Sequence, residues 1–262
     1  MNFEKSSFGG RLGRMLNVDF RRMFRSPLFW IMMGICFVAP VLILVMTTMM
    51  DGSVSVDPQT GVETVMEAFD NVWQAVESVS GSGMAMNMMA MCNINLLFFA
   101  AAVLVSLFVS EDFKSGYAKN LFTVRPKKAD YVISKLLVGW ISGALMLLAY
   151  FVGAMFGGVL SGLSFDAGVT MGEIVMCLVS KMLLMGVFVA IDTLASVIGK
   201  QKTWMSMVGS LAVGMLLFMM IPSVTPLDST PMNAVLCLVA GIAAGGGLGA
   251  VSCAVLKKTS VV

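Results

Sequence analysis

Groups that exchange protons, attack carbon or hold metal are scarce in this chain, and the few present are unhelpfully spaced. Histidine is absent, which removes imidazole acid–base catalysis, Ser-His and Cys-His nucleophile pairs and HExxH zinc sites together. The cysteines, Cys36, Cys92, Cys177, Cys237 and Cys253, all fall inside apolar runs and never as CxxC, so they read as small buried hydrophobes. Met84, Met86, Met88, Met89 and Met91 offer thioethers to a soft metal such as Cu(I), but methionine is scattered through every apolar run, and a flexible, polarizable wall is the better reading. No GxxxxGK[ST] phosphate loop occurs, so the chain lacks the Walker means of binding ATP. An enzyme is not expected, nor a catalytic residue, metal or cofactor on this chain.

The elements that position these residues are set by composition. Of 262 residues 58% are hydrophobic and 12% charged, against roughly 45–50% and 25% in soluble domains, and the mean hydropathy is +0.91. The reading is a single all-α polytopic membrane domain over residues 1–262, with six transmembrane helices at 28–50, 84–109, 136–165, 174–198, 203–221 and 232–256. The first run, longer than a signal peptide's apolar core of about 7–15 residues, is read as a retained span. The fourth carries Lys181 and Asp192, eleven residues and about 16 Å apart along one helix face, too far to pair. Both are assigned structural roles, with Lys181 snorkelling outward or marking the start of the span. Gly241, Gly245 and Gly249 form a tandem GxxxG, which suits close helix approach.

Sidedness follows from Lys and Arg. Six precede the first span, six lie between the second and third, two between the fourth and fifth, and two at the end; Lys181 is the remaining one of 17. The positive-inside rule therefore puts both termini in the cytoplasm. Asp51, Asp57, Glu63, Glu67, Asp70, Glu77, Asp166, Glu173 and Asp228 fall outside.

Two segments flanking the spans are amphipathic. Over 8–26, Phe8, Leu12, Met15, Leu16, Phe20, Met23 and Phe24 share one face, and Arg11, Arg14, Arg21, Arg22 and Arg25 the other. An interfacial helix results, its apolar face in the bilayer and its arginines toward anionic lipid; nucleic acid is not an expected partner. In the external loop 51–83, Thr60 and Glu63 form a T-x-x-E capping box ahead of Val62, Val65, Met66, Phe69, Val72, Trp73, Val76 and Val79, which predicts an amphipathic helix ended by Gly81 and Gly83.

The cytoplasmic segment 110–135 is the most informative. Asp112, Phe113, Gly116, Lys119, Asn120, Pro126, Ser134 and Lys135 resemble the signature of type-2 ABC exporter permeases of the ABCG-like, type V architecture. There an acidic residue and an aromatic precede Gly-Thr, then Lys-Asn, a turn, and a Ser-Lys opening the third span. Tyr117 stands in place of the usual Thr, and Lys127 and Lys128 loosely represent the Ser-Arg of the turn. The resemblance implies a coupling helix docking on a separate cytoplasmic ABC ATPase, which supplies ATP and Mg. It also implies a second permease subunit, identical or related, and a place in the bacterial plasma membrane. The function implied is export of an amphiphilic peptide, lipid-like compound or drug, as in antimicrobial-peptide or drug resistance. An ATP-independent channel or substrate-binding module is the alternative. The coupling residues are expected to be Glu111, Asp112, Phe113, Gly116, Tyr117, Lys119, Asn120 and Leu121. Independently, on one helix from 111 to 123, Phe113, Tyr117 and Leu121 are spaced i, i+4, i+8 and form an apolar strip that needs covering, by a partner or by the chain's own spans.

Polar stripes in spans two and five suggest a path. Met88, Met91 and Asn95 share one arc with Ser106, and Ser206 and Ser210 another. Amide and hydroxyl groups at bilayer depth seek protein or water, so these faces are expected to border the substrate path or to pack between helices.

Overall fold

The computed structural model describes residues 8–56, 63–65, 69–80, 93–124 and 128–258. The elements run α1 (Phe8–Arg25), α2 (Pro27–Met49), strands β1 (Val54–Val56) and β2 (Glu63–Val65), a 3-10 turn (Val72–Ala75), α3 (Leu96–Lys114), α4 (Tyr117–Val124), α5 (Lys128–Ser161), α6 (Met171–Gly199), α7 (Thr203–Phe218), α8 (Ile221–Val224) and α9 (Pro231–Lys258). The protein is an all-α polytopic membrane protein. Among the described residues five helices, α2, α3, α5, α6 and α9, are long and apolar enough to span a bilayer. The apolar α7 has 16 residues, about 24 Å of helix. It stops at Phe218, and the chain turns at Met219 and Met220 into the four-residue α8. Pro222 near the start of α8 supplies no amide and disfavours helix in the residue before it, so α7 does not run on.

α6 is central, touching α3, α5, α7 and α9, while α2 lies along α5. The arrangement has a basic end, formed by α1, α4 and the start of α5, and an acidic end holding the β-hairpin, the 3-10 turn and the loops before α6 and α9. With 34 residues, about 51 Å, α5 outruns a hydrocarbon core of about 30 Å. Its first turns project at the basic end.

That projection changes the role of α1. Met15 and Met23 are buried, and Leu16, Phe20 and Phe24 pack against the core, so part of the apolar face covers α5, while Phe8 at its start stays exposed. The external segment also departs from expectation: residues 63–65 pair antiparallel with 54–56, and only Val72–Ala75 is helical. The β-branched Val54, Val56, Thr64 and Val65 favour strand over helix. Thr60, Val62 and Met66 lie outside the described residues, as do the first residues expected in span two.

Close backbone approach holds α2 on α5. A Cβ on Gly153 would sit 2.2 Å from the Phe37 carbonyl oxygen, and one on Gly157 2.8 Å from the Val41 Cα. Among the GxxxG glycines Gly241 abuts the Leu183 carbonyl and Gly249 the Leu136 side chain, whereas Gly245 faces open space. Gly153→Val should therefore force α2 off α5, destabilising the chain by about 1–3 kcal/mol and exposing Cys36, buried on α2. Gly245→Ala should be silent. Thermal unfolding in detergent with a thiol-reactive dye measures both, and equal midpoints would refute the packing argument.

Candidate functional site

Charge concentrates where α1, α3 and the projecting start of α5 meet. The buried Lys135 ammonium lies 2.9 Å from Asp19 Oδ1 and 2.7 Å from Asp112 Oδ2, with Nζ 3.9 Å from the centre of the Phe108 ring. Asp112 Oδ1 is 2.7 Å from Arg22 Nη1, and Tyr131 donates its hydroxyl to Asp112 at 3.1 Å. Ser134 donates to Asp19 at 2.6 Å. Two carboxylates and two cations balance where Asp19, Asp112 and Lys135 are buried and Arg22 is partly so, which is the condition for keeping the buried ones charged. Burial works against the Arg22 charge, but Asp112 and then Asp19 outweigh it and hold the guanidinium above its ordinary value. Beside the network Arg11 pairs with Asp130 at 3.1 Å.

The network carries α4. Helix α3 ends at Lys114, and Gly116 takes φ +72°, the left-handed conformation that stops a helix and suits glycine. The single helix expected over 111–123 is thus two, and its apolar strip is dismantled. Phe113 is buried against Tyr131, with ring centres 6.4 Å apart. Tyr117 lies under the Arg22 guanidinium at 4.4 Å, and Leu121 packs partly on the core. The chain's own α1 and α5 cover the strip. Of the expected coupling residues, Asp112 and Phe113 are interior, Gly116 makes the corner, Tyr117 and Leu121 are half-buried, and Glu111, Lys119 and Asn120 are exposed.

A second buried charge group closes the acidic end. Lys181 neither snorkels nor starts the span. It is buried in α6 and donates to Glu77 at 2.8 Å, Asn95 at 2.7 Å and Thr225 at 3.1 Å, while the Asn95 amide donates to Glu77 at 2.7 Å. Glu77 lies at the same end as the other acids expected outside and is buried there. Asn95 flanks the start of α3 and is tied into this lock. Residues 69–80 lie over this end: Leu227 N–H donates to the Ser78 carbonyl at 2.9 Å and Trp73 Nε1 to the Phe165 carbonyl at 2.8 Å. The Ser80 hydroxyl and amide bind Asp228 and hold its carboxylate below the ordinary value. The signal for this lock was Lys181 itself, since a lysine inside a span requires a partner; which acid supplies it is not spaced in the sequence.

The polar stripe of α7 also turns inward. Ser206, Ser210 and Gly214 are its buried residues. Ser206 donates to Ser106 of α3 at 3.0 Å and shares a 2.7 Å hydrogen bond with Ser196 of α6. These hydroxyls join three helices within the chain; Met88 and Met91 lie outside the described residues. Asp192 is buried on α6 and forms no ion pair among the described residues. It lies opposite Ser210, without the geometry of a hydrogen bond at Oδ2.

The fold is that of a polytopic membrane protein that holds a short, polar-faced helix at one end. Residues 15–220 match the model of the ABC-2 family transporter proteins, most of the chain, so the protein belongs to that family and is a transporter permease subunit. No curated protein and no solved structure matches the chain.

Lys135→Met leaves Arg22 as the one cation beside the buried Asp19 and Asp112 and should lower stability by about 3–5 kcal/mol. Asp192→Asn removes a buried carboxylate that has no cation and should leave the unfolding midpoint unchanged or raise it. Detergent thermal unfolding compares the two; an equal fall for both would show that Asp192 is paired.

Proposed function

We propose that this permease subunit works with a cytoplasmic ABC ATPase to export amphiphilic peptides, lipid-like compounds or drugs across a bacterial plasma membrane, as one of a pair of permease subunits. The observation that carries the reading is α4. It is anchored from behind by Ala118, Phe122 and the Arg22–Tyr117 stack, and it turns Lys119, Asn120 and Thr123 outward, beside the exposed Glu111 and Lys114. A rigid, polar, uncovered helix at the basic end suits docking to another protein, and the network beneath it gives a stiff link from that helix into α3 and α5. Glu111, Lys119 and Asn120 contact the ATPase; Asp112, Phe113, Gly116, Tyr117 and Leu121 position them. The ATPase contributes ATP and Mg, since this chain has no phosphate loop.

The basic end faces the cytoplasm, following Lys and Arg. The substrate surface is the outward face of α7 and the turn after it, where Trp204, Met205, Val208, Met215, Leu216, Met219 and Met220 are exposed. Flexible thioethers beside aliphatic side chains accommodate varied amphiphiles, and a second permease subunit facing this surface encloses the path.

The double change Lys119→Glu with Asn120→Asp should abolish copurification of the ATPase and ATP-driven transport while leaving the unfolding temperature of the permease unchanged. Phe113→Asp should lower that temperature, because it buries a carboxylate against Tyr131. Retained ATPase and transport in the double variant would remove α4 as the docking element. Sidedness is read separately in a cysteine-free background: an impermeant maleimide applied to intact cells should label a cysteine at Asp166 and not one at Ser115. The reverse pattern overturns the orientation.

A further inference from the structure

The corner between α1 and α2 holds a groove of about 510 Å³ lined by Val18, Arg21, Arg22, Arg25 and Ser26. Arg22 is committed to Asp112. Arg21 and Arg25 are exposed and form no ion pair among the described residues. They stand four residues apart on one helix, where like charges repel unless an anion lies between them. The nearest acid in sequence, Asp19, is occupied by Lys135 and Ser134.

Beyond the corner the surface changes character. Trp30, four residues after Ser26, is 61% exposed, and its indole N–H donates to the Phe24 carbonyl at 2.8 Å. The polar edge is satisfied within the chain and the ring faces outward, as tryptophan does at a membrane–water boundary. From there Ile31, Ile35, Val38, Leu42 and Met46 are exposed down α2 at three- and four-residue steps. Guanidiniums without an ion pair among the described residues, a boundary tryptophan and an apolar stripe succeed one another in the order of phosphate, glycerol and acyl chain.

We infer that this corner is a binding site for an anionic glycerophospholipid. Arg21 and Arg25, with the Ser26 hydroxyl beside them, hold the headgroup phosphate, and Trp30 and the outer face of α2 carry an acyl chain. Guanidinium forks match phosphate oxygens, and a net-negative headgroup is favoured because a zwitterionic one brings its own cation toward the arginines. Met15 and Met23 of α1 are buried, so the exposed groups at this corner are the ones the segment offers to lipid. The assignment does not depend on the exporter reading, since it uses neither α4 nor transport.

Native mass spectrometry of the purified full chain in mild detergent tests it, with dioleoylphosphatidylglycerol, dioleoylphosphatidylcholine and inorganic phosphate as separate probes. The wild type should retain phosphatidylglycerol under conditions that strip phosphatidylcholine. Arg21→Gln with Arg25→Gln should weaken that binding about thirtyfold, at about one basic residue's worth of surface attraction each. The double variant should unfold at the wild-type temperature; if it does not fold, Arg25→Gln alone should show about a fivefold loss. Equal retention of the two lipids, or undiminished phosphatidylglycerol in the variants, overturns the site. Displacement of the lipid by an equal concentration of inorganic phosphate makes it a free-anion site and overturns the lipid assignment. So does disulfide crosslinking of two chains through a cysteine at Ile35 that excludes the lipid, because a second copy is then the occupant.

Discussion

A lysine and two aspartates cannot sit in a dry interior unless their charges cancel, and at the basic end of this protein they cancel across three helices. Lys135 of α5 lies between Asp19 of α1 and Asp112 of α3, and Arg22 completes the balance. Each side chain is tolerable only while the others are in place. α1 is therefore fixed on α5, α3 keeps its helical form to Lys114, and the corner at Gly116 is set down where Tyr117 meets Arg22. The position of α4 is a consequence of this balance.

The acidic end repeats the logic with a smaller set. Lys181 binds Glu77, Asn95 and Thr225, one partner from each of three separated stretches of chain. The cap over residues 69–80 is held by that lysine together with the Trp73 and Ser78 hydrogen bonds to neighbouring loops. The bundle is thus tied by charge at both ends. Between them it relies on close packing, with glycines letting α2 approach α5 to backbone contact, because lipid offers no hydrophobic drive to hold helices together.

This division explains why the signature of the ABC-2 family transporter proteins reads as it does here. Asp112 and Lys135, at opposite ends of the signature segment, form an ion pair, while Phe113 packs on Tyr131. These residues build the mount for α4. Glu111, just before the segment, and Lys119 and Asn120 within it stay exposed.

The membrane class and the basic face of α1 were legible in the sequence, because apolar length and helical period are local properties that hold whatever the neighbours do. The family was legible too, through the spacing of Asp112, Phe113, Gly116, Ser134 and Lys135. Pairing was not. Nothing in the period of α1 foretells that part of its apolar face lies on α5; the 34-residue length of α5 provides that surface. Likewise Ser206 and Ser210 announced a face that avoids lipid, but only the tertiary structure brought Ser106 of α3 and Ser196 of α6 against it. The glutamate that neutralises Lys181 stands 104 residues away. Charge compensation acts through space and carries no sequence period, so the two buried networks that hold this protein together were decided by the tertiary structure alone.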